Sequence, residues 1–348
     1  MTKTSTGNFF EDFTPGQQLI HATPRTLTSG DASLYTALYG SRFALQSADS
    51  FAATCGLSQA PLDDLLVFHT VFGKTVPDVS LNAVANLGYA EGRFGVPVYP
   101  GDSLTASSEV IGLKENSSGK TGVVYVRTTG RNQRGEEVLS YVRWVMVQKR
   151  DPASPAPSAL VPELAKTVSA DSLADQSGFS GKGYDPSMAG SPHLFEDYAA
   201  GERIDHVDGM TVEEADHMIA TRLYQNTAKV HFDQHAASGN RFGRRLVYGG
   251  HVISLARGLS FNGLENAQRI IAINGGRHVA PIFAGDTVYA WTEVLETAPL
   301  PGREDLGALR LRLVAAKNHP CVDFPGAAEA HDAVVLDFDY WVAIPRRA

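Results

Sequence analysis

The chain has 348 residues, 43% of them apolar and 20% charged, an ordinary globular composition with room for about two domains. A net charge of −8 argues against wholesale nucleic-acid binding, and no uninterrupted apolar run reaches the roughly 18 residues that a membrane span needs. Cys55 and Cys321 are too few for a disulfide framework or a metal-binding cluster, and MTKTSTGNFFEDFTPGQ lacks the apolar core of a signal peptide, so a cytoplasmic protein is expected.

Taken in order, the chain repeats itself. FFEDFTPGQ (9–17) returns as LFEDYAAGE (194–202), displaced by 185 residues. TLTSGD (26–31) returns as TVEEAD (211–216) at the same displacement. EGRFGVPVYPGDSL (91–104) returns as GGRHVAPIFAGDTV (275–288), displaced by 184. Order and spacing recur together, and each unit is too long for a solenoid repeat. The reading is two fused copies of one domain, 1–150 and 193–348. The linker 151–192 is rich in Pro, Ser, Gly and Ala, with one short helix expected near 160–166.

Inside each copy a polar turn comes first, at Pro15-Gly16 or Ala200-Gly201. A helical segment follows. In the second copy Thr211 and Glu214 predict a capping box for a helix running to about Tyr224. A loop, a second apolar helix and then strands complete the copy. Segments 121–132 and 136–150 flank a turn at Arg134-Gly135, and 308–318 and 333–345 alternate apolar with polar residues. Each copy is therefore α+β, with antiparallel strands wrapped around a central helix.

The chemistry concentrates in NTAKVHFD (226–233), where Asn226 and His231 stand five residues apart. A neutral imidazole can hold and deprotonate a water near neutral pH, and an amide can bond the same water. A surface histidine beside a polar loop is the bland alternative. Gly249-Gly250 opens an apolar helical run, which leaves backbone N–H groups free to meet an oxyanion; a plain tight turn is the alternative there. The first copy lacks both features. The 185-residue displacement carries His231 onto Gln46 and Asn226 onto Ser41. Aligning Leu246-Val247-Tyr248 with Leu66-Val67-Phe68 sets the glycines against His69-Thr70.

Together these stretches resemble the MaoC-like, R-specific enoyl-CoA hydratases of the double hot-dog type. Their loop reads G-D-x-N-P-[apolar]-H-x-D, and its apolar-His-x-Asp end matches Val230, His231 and Asp233. Gln225, Asn226, Ala228 and Lys229 replace the family's Gly, catalytic Asp, Asn and Pro. Its His-Gly-Met helix start corresponds to Gly249, Gly250 and His251, and its Pro-x-x-x-Gly-Asp marker ends at Asp102 and Asp286. The resemblance covers all but the linker, and YGGHVISLARGLSFNGLENA is similar to the mesaconyl-CoA hydratase (β-methylmalyl-CoA dehydratase) branch.

The resemblance implies a hydro-lyase acting on a branched dicarboxylic enoyl-CoA. His231 would take a proton from the attacking water, with Asn226 orienting that water and the Gly250 and Gly249 N–H groups stabilising the thioester oxygen. No cofactor or metal is called for, CoA being part of the substrate. The substrate carboxylate needs a cation, for which Arg42, Arg222, Arg241 and Lys229 are candidates, with His251 a further binding candidate. The carboxylate role of the family could instead have moved to Asp233 or Asp216. A homodimer is expected, and neither nucleic acid nor membrane is an expected partner. The competing readings are a hot-dog thioesterase and a non-catalytic acyl-CoA-binding protein. Such thioesterases commonly carry a carboxylate on or beside the central helix, and GHVISLARGL (250–259) has none.

Overall fold

The computed structural model describes residues 3–323 and 331–347. The first copy runs β1 (Gln18–Thr26), α1 (Ser29–Tyr39), short helical turns within 44–54, then α2 (Asp64–Thr75). β2 (Ala83–Phe94), β3 (Ser103–Glu115), β4 (Thr121–Arg131) and β5 (Glu137–Gln148) complete it. The second copy repeats this order as β6 (Arg203–Thr211), α3 (Glu214–Leu223), α4 (Gly249–Leu259), β7 (Arg269–His278), β8 (Thr287–Pro299), β9 (Leu306–Lys317) and β10 (Val334–Pro345).

Among the described residues ten strands form one antiparallel sheet in the order β1-β3-β4-β5-β2-β7-β10-β9-β8-β6. The copies join where Gly92 of β2 faces Ile273 of β7. A Cβ at Gly92 would stand 2.7 Å from the Ile273 Cβ, so the join requires glycine. Every residue of α2 is buried, and so is all of α4 after Gly249. Apolar residues dominate both helices, and their few buried polar groups are mostly partnered, as with Asp64 on Arg269 and Arg257 on the Ala267 carbonyl. Phe68 and Phe72 of α2 share one core with Tyr248 and with Val252, Ile253 and Leu255 of α4. Each such side chain contributes about 1.5–3 kcal/mol by leaving water.

The outer strands β1 and β6 are absent from the sequence reading. Both break the alternation that reveals a strand. β1 holds Pro24 and shifts register between His21 and Arg25, and β6 shifts between Asp205 and Gly209. Thr23 and Val207 take left-handed φ values of 61° and 66°. Proline and bulges are tolerated at sheet edges, which is where these strands lie.

Two local expectations are corrected. The capping box forms in the first copy, between Thr28 and Asp31. In the second copy the Thr211 hydroxyl bonds Thr287 at 2.8 Å instead, and Glu213 occupies the cap position without a side-chain bond. The linker has no helix near 160–166; Leu160 bridges to Leu113 as extended chain. Prolines at 152, 155, 157 and 162 discourage helix there. The linker then packs down: Val168, Leu173 and Phe179 are buried with Trp341, whose indole N–H donates to the Val168 carbonyl at 3.1 Å.

Residues related by the repeat meet at the centre. The Tyr39 and Tyr224 hydroxyls are 2.9 Å apart, and His69 Nε2 lies 3.1 Å from the Ser254 hydroxyl. Each pair is separated by 185 residues, so a pseudo-twofold axis passes between them.

Candidate active site

α3 stops at Leu223 because the chain reverses through Gln225, at φ 53°, a conformation that no helix continues. The reversal turns Asn226 inward, where it is buried. Its Oδ1 accepts the Ala228 N–H at 2.9 Å, so its amide nitrogen is the atom left for the cavity. A single helical turn, Lys229–His231, then delivers the histidine. His231 Nδ1 lies 2.9 Å from the Leu246 carbonyl oxygen. A carbonyl only accepts, so Nδ1 carries the proton and Nε2 keeps a free lone pair. The Leu246 N–H bonds back to Val230 at 3.0 Å, closing the loop on itself. Burial pushes the His231 pKa down to about 4, against the opposing pull of the Leu246 carbonyl and with nearby His217 adding to the drop. The ring is neutral at pH 7.

Gly249 and Gly250 open α4 directly after Tyr248. Their N–H groups have no acceptor one turn back and lie at the positive end of the helix. Neither position has room for a side chain: a Cβ at Gly249 would strike the His278 ring, and one at Gly250 the rings of Tyr248 and His69.

These pieces face one cavity of about 670 Å³, which Asn226, His231, Tyr248, Gly249 and His278 line from the second copy. Phe72, Asn86, Tyr89 and Arg143 line it from the first. No Asp or Glu is in its wall among the described residues. Val84, Val230 and Val279 are exposed apolar residues at its rim. Arg241 also lines it, with its guanidinium 4.4 Å from the centre of the Phe242 ring. Among the described residues no group of three or more His, Cys, Asp or Glu is arranged to hold a metal ion.

The structure brings together His231, Asn226, Gly249 and Arg241. The other proposed residues lie outside the cavity wall. Gly250 is buried just behind Gly249. His251 is turned toward the first copy, with Nδ1 3.3 Å from the Tyr39 hydroxyl. Arg42 lies over the Phe261 ring, and Arg222 and Lys229 are exposed on the outer surface. Asp233 caps a short helix by accepting the Ala236 N–H, and Asp216 is on α3; neither reaches the wall. Arg143, Asn86, Tyr89 and His278 were missed. His278 was within reach, because it replaces Phe94 in the matched segments. Burial, with His231 close by, pushes its pKa to about 4 as well.

The corresponding place in the first copy is closed. Gln46 donates to the Gln268 carbonyl at 2.8 Å, and the Ser41 hydroxyl donates to Asp63 at 3.4 Å. A void of only about 20 Å³ remains among Ser41, Gln46 and Asp63. The helix starts coincide at a displacement of 185, so Gly249 stands opposite Asp64 and not His69. The apolar triplets used for the alignment misled, since Leu66–Phe68 lies inside α2 and Leu246–Tyr248 precedes α4. The Asp64 carboxylate accepts the Ile270 N–H at 2.9 Å and pairs with Arg269 at 3.0 Å.

Comparison with known proteins agrees with this architecture. A family model described as mesaconyl-CoA hydratase matches residues 1–331. A protein of Chloroflexus aurantiacus named β-methylmalyl-CoA dehydratase is 62% identical over 99% of both chains. One of Cereibacter sphaeroides named mesaconyl-CoA hydratase is 61% identical over 99% of this chain and 100% of its own. A crystal structure of a putative MaoC domain protein dehydratase from Chloroflexus aurantiacus superposes with a TM-score of 0.97 at 61% identity, covering 100% of each chain. A Mycobacterium tuberculosis protein described as having a double hot-dog fold superposes at 0.78 with 27% identity, over 98% of this chain and 99% of its own. The fold is a double hot-dog.

Proposed function

The chain belongs to the mesaconyl-CoA hydratase family, and on that premise we propose that it reversibly adds water to mesaconyl-CoA (2-methylfumaryl-CoA), giving β-methylmalyl-CoA. One observation carries the mechanism: His231, with Nε2 unprotonated, shares a cavity with the Asn226 amide nitrogen and the start of α4.

The enoyl thioester lies with its carbonyl oxygen at the start of α4, where the Gly249 N–H faces the cavity. Water sits between His231 Nε2 and the Asn226 amide. The amide donates to the water oxygen and aims its other lone pair at the β carbon. His231 takes one proton as the C–O bond forms, and the π electrons move to the thioester oxygen. The imidazolium then returns a proton to the α carbon, so H and OH have added and the histidine is neutral again. The developing enolate is held by this backbone donor at the positive end of α4, which contributes roughly 3 kcal/mol to lowering the barrier. The thioester itself is the electron sink, so the step calls for no cofactor. The exposed Arg241 suits the CoA phosphates, and Val84, Val230 and Val279 suit the pantetheine arm. The cytoplasmic setting and the homodimer belong to the same proposal; among the described residues no helix is long and apolar enough to cross a membrane.

The test is to incubate the purified protein with mesaconyl-CoA while following enoyl-thioester absorbance and free CoA. Loss of absorbance without CoA release is the expected result. CoA release would make the protein a thioesterase, and no change in either would reduce it to a binding protein.

A further inference from the structure

The proposed substrate ends in a free carboxylate, and of the cations chosen from the sequence only Arg241 lines the cavity, as an exposed side chain stacked on Phe242; none is buried within it. A different one is. Arg143 of β5 is wholly buried in the cavity wall. Its Nη2 donates to the Thr75 hydroxyl at 2.6 Å and reaches the Ser80 hydroxyl at 3.3 Å. Nε and Nη1 meet no acceptor among the described residues. The guanidinium lies 4.2 Å from the centre of the Phe72 ring. A buried guanidinium with open donors is unfavourable unless an anion completes it.

A second polar group waits beside it. Asn86 of β2 also lines the cavity, and both its amide oxygen and nitrogen are buried without a partner among the described residues. Register sets the two close: Tyr89 is opposite Arg143, and Asn86 is opposite Val145, two residues along β5. The matching positions of the second copy hold no such pair. VLSYVRW (138–144) matches VLDFDYW (335–341), so Tyr340 stands for Arg143, and Ile270 stands for Asn86 at the 184-residue displacement. The copy without the water-binding loop carries the buried polar pair. The pair is also near the chemistry. Phe72, which carries the guanidinium, is 5.9 Å ring to ring from Tyr248, and Tyr248 is 5.5 Å from His231.

We propose that Arg143, assisted by Asn86, seats the free carboxylate of the substrate and thereby selects dicarboxylic acyl groups. This rests on the dicarboxylic reading given under Proposed function. Hydroxyls from Thr75 and Ser80 fix the guanidinium through Nη2, leaving Nε–H and Nη1–H₂ for the ligand. The acyl end is thus gripped by the first copy while the reacting carbons lie at the second.

The experiment compares wild type, Arg143→Met and Asn86→Ala on mesaconyl-CoA and on crotonyl-CoA, which lacks the carboxylate. In parallel, free mesaconate is tested for its effect on the melting temperature. For Arg143→Met, kcat/KM on mesaconyl-CoA should fall about a hundredfold, as truncating a buried charge partner does. Its ratio to the crotonyl-CoA value should fall at least tenfold. Asn86→Ala should move the ratio the same way by a smaller factor. Mesaconate should raise the melting temperature of wild type and not of Arg143→Met, whose own melting temperature should equal or exceed that of wild type. Equal losses on both substrates, or equal protection of both proteins by mesaconate, would overturn the assignment. If wild type does not hydrate mesaconyl-CoA, the functional reading falls, and the mesaconate arm still decides: protection that depends on Arg143 supports the seat, and no protection of wild type overturns it. If Arg143→Met does not fold, Arg143→Lys, which keeps the charge and loses the fork, replaces it in every comparison.

Discussion

Changing Asn226 to Asp exchanges one amide nitrogen for an oxygen and tests the electrostatics of the site. One carboxylate oxygen can still accept the Ala228 N–H now bonded at 2.9 Å, so the loop keeps its shape. The other replaces an N–H donor with a negative charge at a residue only 5% exposed. The substrate's carboxylate is attached to the carbon that water attacks, which sets the two charges about 5 Å apart. At an effective dielectric near 20 they repel by about 3 kcal/mol. That sets an upper bound of roughly a hundredfold in kcat/KM, since a guanidinium paired with the substrate carboxylate offsets part of the repulsion. Burial raises a carboxyl pKa, so part of the loss should be recovered as pH falls and the new group takes up a proton. Crotonyl-CoA has no carboxylate to repel, and its turnover should fall less or rise. The assay is initial-rate hydration of both thioesters across a range of pH. Equal loss on the two substrates, or a gain on mesaconyl-CoA, would refute the reasoning and leave the amide at 226 unexplained by charge.

Two further outcomes are expected. His231→Ala should lower kcat by roughly two orders of magnitude or more, the usual cost of losing a general base, whereas Gln46→Ala should stay within a few-fold of wild type; equal losses would misplace the site. With the His231 pKa lowered to about 4, its base form persists well below the ordinary histidine range. The kcat/KM profile should stay flat from pH 8 to about 5 and halve near 4, and an inflection near 6.5 would show that the base titrates unshifted.

How much of this could be read from the chain depends on where the information lies. Features local in sequence were legible. The repeat is a matter of matched segments, and Asn226 and His231 share one short loop, so their joint appearance in the cavity needs only that loop to fold. The start of α4 was legible for the same reason. What was not legible comes from register. Arg143 sits in a strand between Val142 and Trp144, and nothing in that alternation tells whether an arginine faces water or a cavity. Asn86 and Tyr89 join it only through the pairing of β2 with β5. The carboxylate seat was therefore sought among arginines near the loop in sequence, while the wall facing the loop is built from the other copy. The edge strands escaped because their bulges erase the period-two pattern. The linker was read as loose because its composition is, although it buries Phe179 completely.

The contacts across the pseudo-twofold axis carry a further meaning. Two identical chains meeting at such an axis must present the same side chain from both sides. Tyr39 against Tyr224 would satisfy that rule, but His69 against Ser254 cannot be made by identical partners. Tethering the halves in one polypeptide lifts the obligation of self-complementarity. The two pseudo-equivalent places can then differ: a cavity of about 670 Å³, walled by both halves, lies at the second copy's loop, and about 20 Å³ lies at the first copy's. The arrangement halves the number of reaction centres per unit of chain. In exchange, the wall that faces the catalytic loop is always present at high effective concentration, so the reaction centre stays whole at any dilution.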